Sequence, residues 1–402
     1  MNILLVSNKM PFPPRDGGSL ATYNMLKGLA EEGNRVDLLA MNTAKHFSPL
    51  ALRQPESVIV ERFVSVYVDN RVKLSSLVTN LLVSSLPYNA GRYISVKFRE
   101  ALAEMLKSVK YNVVQLEGLY LAAYIDTIRE YSDARIVYRA HNIEHLIWER
   151  VGLNNNNLLK KWYIKSQSGR IRRFEHGVIN RYDMIAAITE NDMETLNVMG
   201  NNKPCIVAHF GMYDKNSRTA ATQGSDELCL QFIGALDWLP NIEALQWFSE
   251  NVWKVLKNRY PDLRFYIAGR NAGRRLVRYL RKTEADFLGE IESAAEFLNT
   301  PGILVVPLLS GSGVRVRVIE AMYSAKPIIA SSKAVSGISC EEGKHLLLAD
   351  DPAGFIYCIE KLLHNPADAS SMGRSAREFA VKTFNNREIS GRLTDFYKKH
   401  TG

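Results

Sequence analysis

Cysteine is scarce in this chain. The four present, Cys205, Cys229, Cys340 and Cys358, stand far apart and form no C-x-x-C pair. That argues against a disulfide framework and a zinc site, and it fits a reducing compartment. No stretch reaches the ~18 consecutive apolar residues of a membrane-crossing helix. The start, "MNILLVSNKMPFPP", lacks a basic segment followed by an apolar one and reads as a strand, not a signal peptide. A cytoplasmic protein is expected, soluble or peripheral on the inner face of a membrane. The glycine turn after this strand is neither G-x-G-x-x-G nor a P-loop, which disfavours a dehydrogenase and a P-loop NTPase. Acidic residues are outnumbered, 42 against 51 Lys and Arg, for a net charge of +9. The excess favours anionic partners such as phosphates, nucleotides or an acidic membrane face. It is spread over both halves with no recognition motif, so nucleic acid is not expected.

What is abundant is alternation. The 402 residues suit two or three domains at roughly 150 residues each. Strands are read at 3–8, 35–41, 111–118, 134–142, 184–192 (leading into a helix) and 204–211, with helices at 17–33, 96–109 and 122–132 between them. The texture turns polar and small at 212–227, and then the alternation restarts. Strands follow at 229–236, 264–269, 302–309, 327–332 and 346–351, with helices at 241–261, 271–283, 317–325 and 352–365. The strands are apolar throughout, as in a parallel sheet covered on both faces. The expectation is α/β: a first domain at 1–212, a linker at 213–227, a second domain at 228–383, and a last helix at about 384–402 packing back on the first. Ligands of such sheets bind beyond the carboxyl ends of the strands, and with two domains the default site is the cleft between them.

Three places carry candidate chemistry. Gly17 and Gly18 open a helix after the first strand, where free N–H groups and the helix dipole can seat a phosphate or simply allow a tight turn. "YRAHNIEH" ends a strand at His141, which can hydrogen-bond a ligand hydroxyl or serve as a structural histidine; His145 lies four residues on. "SGSGVRVRVIEAM", residues 310–322, follows an apolar strand. Its glycine turn presents N–H groups, and Arg315 and Arg317 add forked donors suited to a diphosphate. Glu320 would repel a phosphate and suits ribose hydroxyls. The plain alternative is an Arg–Glu pair on an exposed helix turn.

In this order the segments "AHN", "IVAHFG", "FIGALDWLPNIEALQWF", "DFLGEIESAAEFL" and "PLLSGSGVRVRVIEAMYSAKPIIAS" resemble the retaining GT-B glycosyltransferases of family 4, in the subgroup with an SGSG-x-R-x-K/R-x-x-E-A-M core. The resemblance implies two Rossmann-like domains facing across a cleft. It implies metal-independent transfer of a hexose or similar sugar, with retention, from a nucleotide-sugar, UDP- or GDP-linked first of all. The acceptor would be a glycan or lipid-linked, and the setting cell-surface polysaccharide or glycoconjugate biosynthesis. By position, Glu320 would hold the ribose, the Ile291 backbone the base, Gly17 and Gly18 the phosphates, and His141 a hydroxyl of the sugar. Gly234 and Asn241, the two ends of "GALDWLPN", would line the donor, as would Ser312, Gly313 and Val314.

The chain departs from the family pattern at three points. The family's paired glutamates fall on Ser312 and Glu320, so the first carboxylate is lost. Arg315 stands where the family has a glycine. "GALDWLPN" lacks the family's basic pair for the diphosphate, and Arg315 and Arg317 are expected to replace it from the next turn. A nucleotide-sugar epimerase and a non-catalytic nucleotide-sugar-binding subunit remain open alternatives.

Two stretches of the first domain bear on the acceptor. "LKKWYIKSQSGRIRRFEHGVINR", 159–181, mixes seven Lys and Arg and one acid with aromatics, and "LSSLVTNLLVSSLPY", 74–88, is apolar with small polar breaks. They fit an anionic membrane surface, or a solvated basic helix beside a core-covering one.

Overall fold

A computed structural model describes residues 1–402 apart from 15, 45–46, 50–59, 72–79, 81–83, 85, 154–157, 215–228 and 311–314, with 153 and 158–160 described by backbone alone. The chain forms two compact units, Met1–Tyr213 with Asn386–Gly402, and Asp214–Asn385. Most of the expected linker and most of the apolar stretch 74–88 lie outside the described residues.

Among the described residues the first unit has a seven-stranded sheet in the order β3-β2-β1-β4-β5-β6-β7. The strands are β1 Asn2–Ser7, β2 Arg35–Thr43, β3 Phe63–Val68, β4 Val113–Glu117, β5 Arg135–Ala140, β6 Met184–Ala187 and β7 Cys205–Val207. Every pairing is parallel. Helices cover both faces, so Ile3, Leu4, Leu5 and Val6 are all fully buried. The period-two pleat sends Leu4 and Val6 into one core, and Ile3 and Leu5 into another that includes Ile389, Leu393 and Tyr397 of the C-terminal helix Asn386–Thr401.

The second unit repeats the plan with six parallel strands, ordered β10-β9-β8-β11-β12-β13. They are β8 Leu230–Ile233, β9 Phe265–Ala268, β10 Asp286–Gly289, β11 Ile303–Val306, β12 Ile328–Ala330 and β13 Leu347–Leu348. In each sheet the winding reverses once, between β1 and β4 and between β8 and β11. A reversal leaves a crevice at the carboxyl ends of the two central strands, because the following helices depart to opposite faces.

Two strands escape the sequence reading. "FVSVYV" forms edge strand β3 with partly exposed residues, and β10 lies inside "DFLGEIESAAEFL". Both are edge strands, where burial on both faces is incomplete and the apolar signal weakens. The helix read at 122–132 begins as a 3-10 segment, Leu119–Tyr124.

Candidate functional site

At the reversal of the first sheet, Ser7 of β1 is in register with Glu117 of β4, and Glu117 with Arg139 of β5. The helix Gly17–Glu31 starts beside them. Asp16 caps it, accepting from the Ser19 N–H at 2.8 Å while Ser19 Oγ accepts from the Asp16 N–H at 2.9 Å. Such a cap is worth about 1 kcal/mol. Gly17 and Gly18 are its first two residues, whose N–H groups have no partner inside a helix. A Cβ on Gly18 would stand 2.5 Å from Lys9 Nζ, the far end of a flexible side chain that can shift aside, and that Nζ is itself 2.7 Å from Asp16 Oδ1. A cation thus lies against the turn read as a phosphate seat.

His141 follows β5 directly and is half-buried. Its Nε2 lies 2.6 Å from Glu117 Oε2, and Glu117 is buried. Thr22 Oγ1 approaches the same oxygen at 3.1 Å, and Gln115 Nε2 donates to Glu117 Oε1. Gln115 Oε1 in turn accepts from the Tyr397 hydroxyl at 2.6 Å. Burial alone would raise the pKa of Glu117. The His141 ring, the Arg139 guanidinium and the Gln115 amide outweigh it and hold the carboxyl below its ordinary value. Arg139 is fully buried, with Nη2 donating to the His209 carbonyl at 3.3 Å. Its Nε and Nη1 have no hydrogen-bond partner among the described residues, and burial lowers its pKa.

His145 turns to a different carboxylate. Its Nδ1 is 2.6 Å from Glu175 Oε2, and both side chains are buried. Glu144 accepts from the Tyr120 hydroxyl at 2.9 Å, and its own N–H donates to Glu175 at 3.1 Å. Burial pushes the Glu144 carboxyl up to about 7, with the Tyr120 bond opposing and the Glu175 charge adding.

The reversal of the second sheet gathers most of the other expected residues. Gly234 follows β8, and Asn241 is the third residue of the helix Leu239–Phe248, its Nδ2 donating to the Ala235 carbonyl at 2.9 Å. Ile291 lies in the loop after β10. Arg315 is the N-cap of the helix Val316–Tyr323, which carries Arg317 and Glu320. The Arg315 guanidinium stands over the Trp238 ring, 4.9 Å from its centroid. The loop that lacks a basic pair therefore holds the neighbouring turn's arginine through an aromatic ring, an attraction worth about 0.5–2 kcal/mol. Burial lowers the Arg315 pKa to about 10, still cationic at neutral pH. Arg317 Nη1 pairs with Glu320 Oε2 at 2.5 Å. Ser312, Gly313 and Val314 lie outside the described residues. A separate cavity of about 780 Å³, lined by Cys229, Gln231, Thr300 and Pro301 among others, opens at the amino-terminal ends of β8 and β11. It sits on the opposite edge of the sheet from the Arg315 turn.

The sequence reading missed Lys9, Thr22, Gln115, Glu117, Arg139 and Trp238. One signal was available: Gln115 and Glu117 are polar at i and i+2 in the otherwise apolar "VVQLEG", so they share one face of a buried strand, where polar groups require partners.

Comparison with known proteins agrees with this architecture. Residues 227–365 match the family described as Glycosyl transferases group 1. The chain is 23% identical over 403 residues to an uncharacterised 44.6 kDa protein in the cps region of Klebsiella pneumoniae, covering 96% of this chain and 97% of that one. Sucrose-phosphate synthase from Thermosynechococcus elongatus is similar in structure, with a TM-score of 0.71, 16% identity, and coverage of 99% of this chain and 98% of that one. HepE from Anabaena, in complex with UDP-glucose, gives a TM-score of 0.66 at 12% identity, covering 99% of each chain. The chain thus has the GT-B fold, and its residues 227–365 match the glycosyl transferases group 1 family.

Proposed function

We propose that this protein is a retaining glycosyltransferase. It moves a hexose or similar sugar from a UDP- or GDP-sugar to a glycan or lipid-linked acceptor, in the synthesis of cell-surface polysaccharide or glycoconjugate. The observation that carries the reading is the Trp238–Arg315 contact, with Arg317 and Glu320 on the next helical turn, at the reversal of the second sheet. The matched family, the UDP-glucose complex of HepE and the cps region of the Klebsiella relative support it.

Each residue then has a task. Arg315 and Arg317 hold the diphosphate, Glu320 the ribose hydroxyls and the Ile291 backbone the base. Gly234 and Asn241 shape the donor loop, and the N–H groups of Ser312, Gly313 and Val314 serve the sugar or its leaving phosphate. In the first unit, Gly17 and Gly18 serve a phosphate and His141 a sugar hydroxyl. No residue is assigned to a metal. Transfer runs on one face of the sugar through an oxocarbenium-like state, and the leaving diphosphate takes the acceptor's proton. The protein's contribution is charge stabilisation and orientation.

The acceptor side is assigned to an anionic membrane surface. Among the described side chains of the helix Leu158–Val178, the exposed ones are Lys161, Trp162, Lys165, Arg172, Arg173 and His176, while the acid Glu175 is buried. Trp162 is 62% exposed. The preceding helix, Glu144–Leu153, meets it near the same end, where a Cβ on Gly152 would lie 3.2 Å from Ile164 Cγ2; beside that contact Val151 is 48% exposed. An apolar tip backed by a basic stripe suits an interface rich in anionic lipid. Flotation with vesicles of phosphatidylglycerol and phosphatidylcholine should carry the protein up at low salt. A protein left at the bottom of the gradient at low salt would remove the membrane from this reading.

A thermal-shift panel of UDP-, GDP-, ADP- and dTDP-sugars tests the donor, because a ligand of the native state raises apparent stability. One donor should stand out and should be hydrolysed slowly without acceptor. A changed sugar configuration in that incubation, read by NMR, would indicate an epimerase. Binding with no turnover would indicate a non-catalytic subunit.

A further inference from the structure

We propose that Glu117 is a positioning residue that sets which ring nitrogen His141 presents to the sugar, and that Tyr397 of the C-terminal helix steadies Glu117 through Gln115. The inference rests on the assignment of His141 above.

The contacts form a directed chain. The Tyr397 hydroxyl donates to Gln115 Oε1 at 2.6 Å, which fixes the orientation of the amide. Gln115 Nε2 must then point to Glu117 Oε1. The other carboxylate oxygen, Oε2, faces the Thr22 hydroxyl at 3.1 Å and His141 Nε2 at 2.6 Å. Thr22 Oγ1 also lies 3.2 Å from the Gly18 carbonyl. Its single proton can serve only one of the two, and a charged oxygen is the stronger acceptor.

The charge on Glu117 decides the outcome. Arg139, in register beside it on β5, is buried without a hydrogen bond from Nε or Nη1, so its positive charge favours an anion on that face. An ionised carboxylate can only accept. His141 Nε2 therefore carries a proton, since the other tautomer would set a lone pair against a carboxylate oxygen at 2.6 Å. In the neutral ring this leaves Nδ1 bare. His141 has no other hydrogen bond with the described residues, and its side chain keeps 19% of its surface. A bare Nδ1 accepts, so the sugar group it meets is an O–H that donates to it. Glu117 itself is buried, with Thr22, Gln115 and His141 on its two oxygens, so it acts through His141 and not on substrate directly.

The test reads the ring directly. The full-length protein is labelled with 15N-histidine, and two-bond proton–nitrogen spectra are recorded at a pH where the His141 ring is neutral. Its signals are identified by their loss in His141→Ala. The expected pattern is a protonated Nε2 and a bare Nδ1, and a protonated Nδ1 would overturn the proposal whatever the activity. Removing the charge at Glu117 would strand Arg139 and risks unfolding. Glu117→Asp keeps the charge and draws the carboxylate back by one methylene. It should mix the two tautomers and lower kcat by about tenfold or more, because a reacting geometry displaced by about 1 Å loses rate steeply. Wild-type ring shifts with wild-type kcat in Glu117→Asp would refute the positioning role. Tyr397→Phe removes only the hydroxyl and should move the His141 resonances; unmoved resonances would take Tyr397 out of the chain. Unchanged turnover in His141→Ala would instead refute the role given to His141, while the ring spectrum still decides the tautomer.

Discussion

Arg317 Nη1 lies 2.5 Å from Glu320 Oε2, three residues on along the same helix. The pair is solvated, with Arg317 45% exposed at its side chain, so it contributes little, about 0–1 kcal/mol. A weak pair is easily opened. On the function proposed above, a nucleotide-sugar would offer each partner a better one, a diphosphate oxygen for the arginine and ribose hydroxyls for the glutamate. Arg315→Ala and Arg317→Ala should each lower turnover by about 10²-fold, as for loss of one donor to the leaving group. Steady-state kinetics check this, and near-normal rates in both single variants and in the double variant would withdraw the two arginines from the site.

Two glycines at the second reversal differ in what crowds them. A Cβ at Gly269 would stand 2.2 Å from the Gly234 carbonyl oxygen, which is backbone and cannot turn away. A Cβ at Gly234 would stand 2.6 Å from Asn241 Nδ2, the end of a side chain that can rotate and give up its bond to Ala235. Gly269→Ala should therefore cost about 3 kcal/mol and Gly234→Ala about 1 kcal/mol in urea unfolding. The reverse order would mean that the backbone there yields more readily than the side chain.

Glu144 supplies a pH signature. Burial raises its folded pKa to about 7, above its ordinary 4.5. The folded state therefore binds the extra proton between those values, and the contribution of Glu144 to stability falls as pH rises through that window. Glu144→Gln removes the titration. Its stability relative to wild type should improve from pH 4.5 to pH 8, and chemical denaturation at the two pH values measures the difference. A constant difference would show that the carboxyl is not held up by its surroundings.

Lys326 works in the opposite sense. It is buried, donating to the Thr300 carbonyl and, at 3.2 Å, to that of Gly302, and burial lowers its pKa from 10.5 to about 7. A neutral amine still has two N–H groups for these carbonyls. The unfolded chain binds more protons between pH 7 and 10.5, so this group adds stability as pH rises. Wild type should gain on Lys326→Met by a few kcal/mol between pH 7 and pH 9.5. Parallel curves would place an unshifted ammonium at this position.

The two α/β halves are legible in the order of the residues, because strands buried on both faces must be apolar at every position. That order also singled out His141, Gly18 and the Arg315–Glu320 turn as candidates, because glycines and charges at strand ends stand out against apolar runs. Their partners come from packing between distant segments. Glu117 reaches His141 because β4 and β5 lie side by side in register, and Trp238 reaches Arg315 because β8 and β11 flank the reversal of their sheet. Tyr397 meets Gln115 across 282 residues of chain. Such pairings depend on strand order and helix packing, which link positions far apart in the chain and leave no local pattern to read.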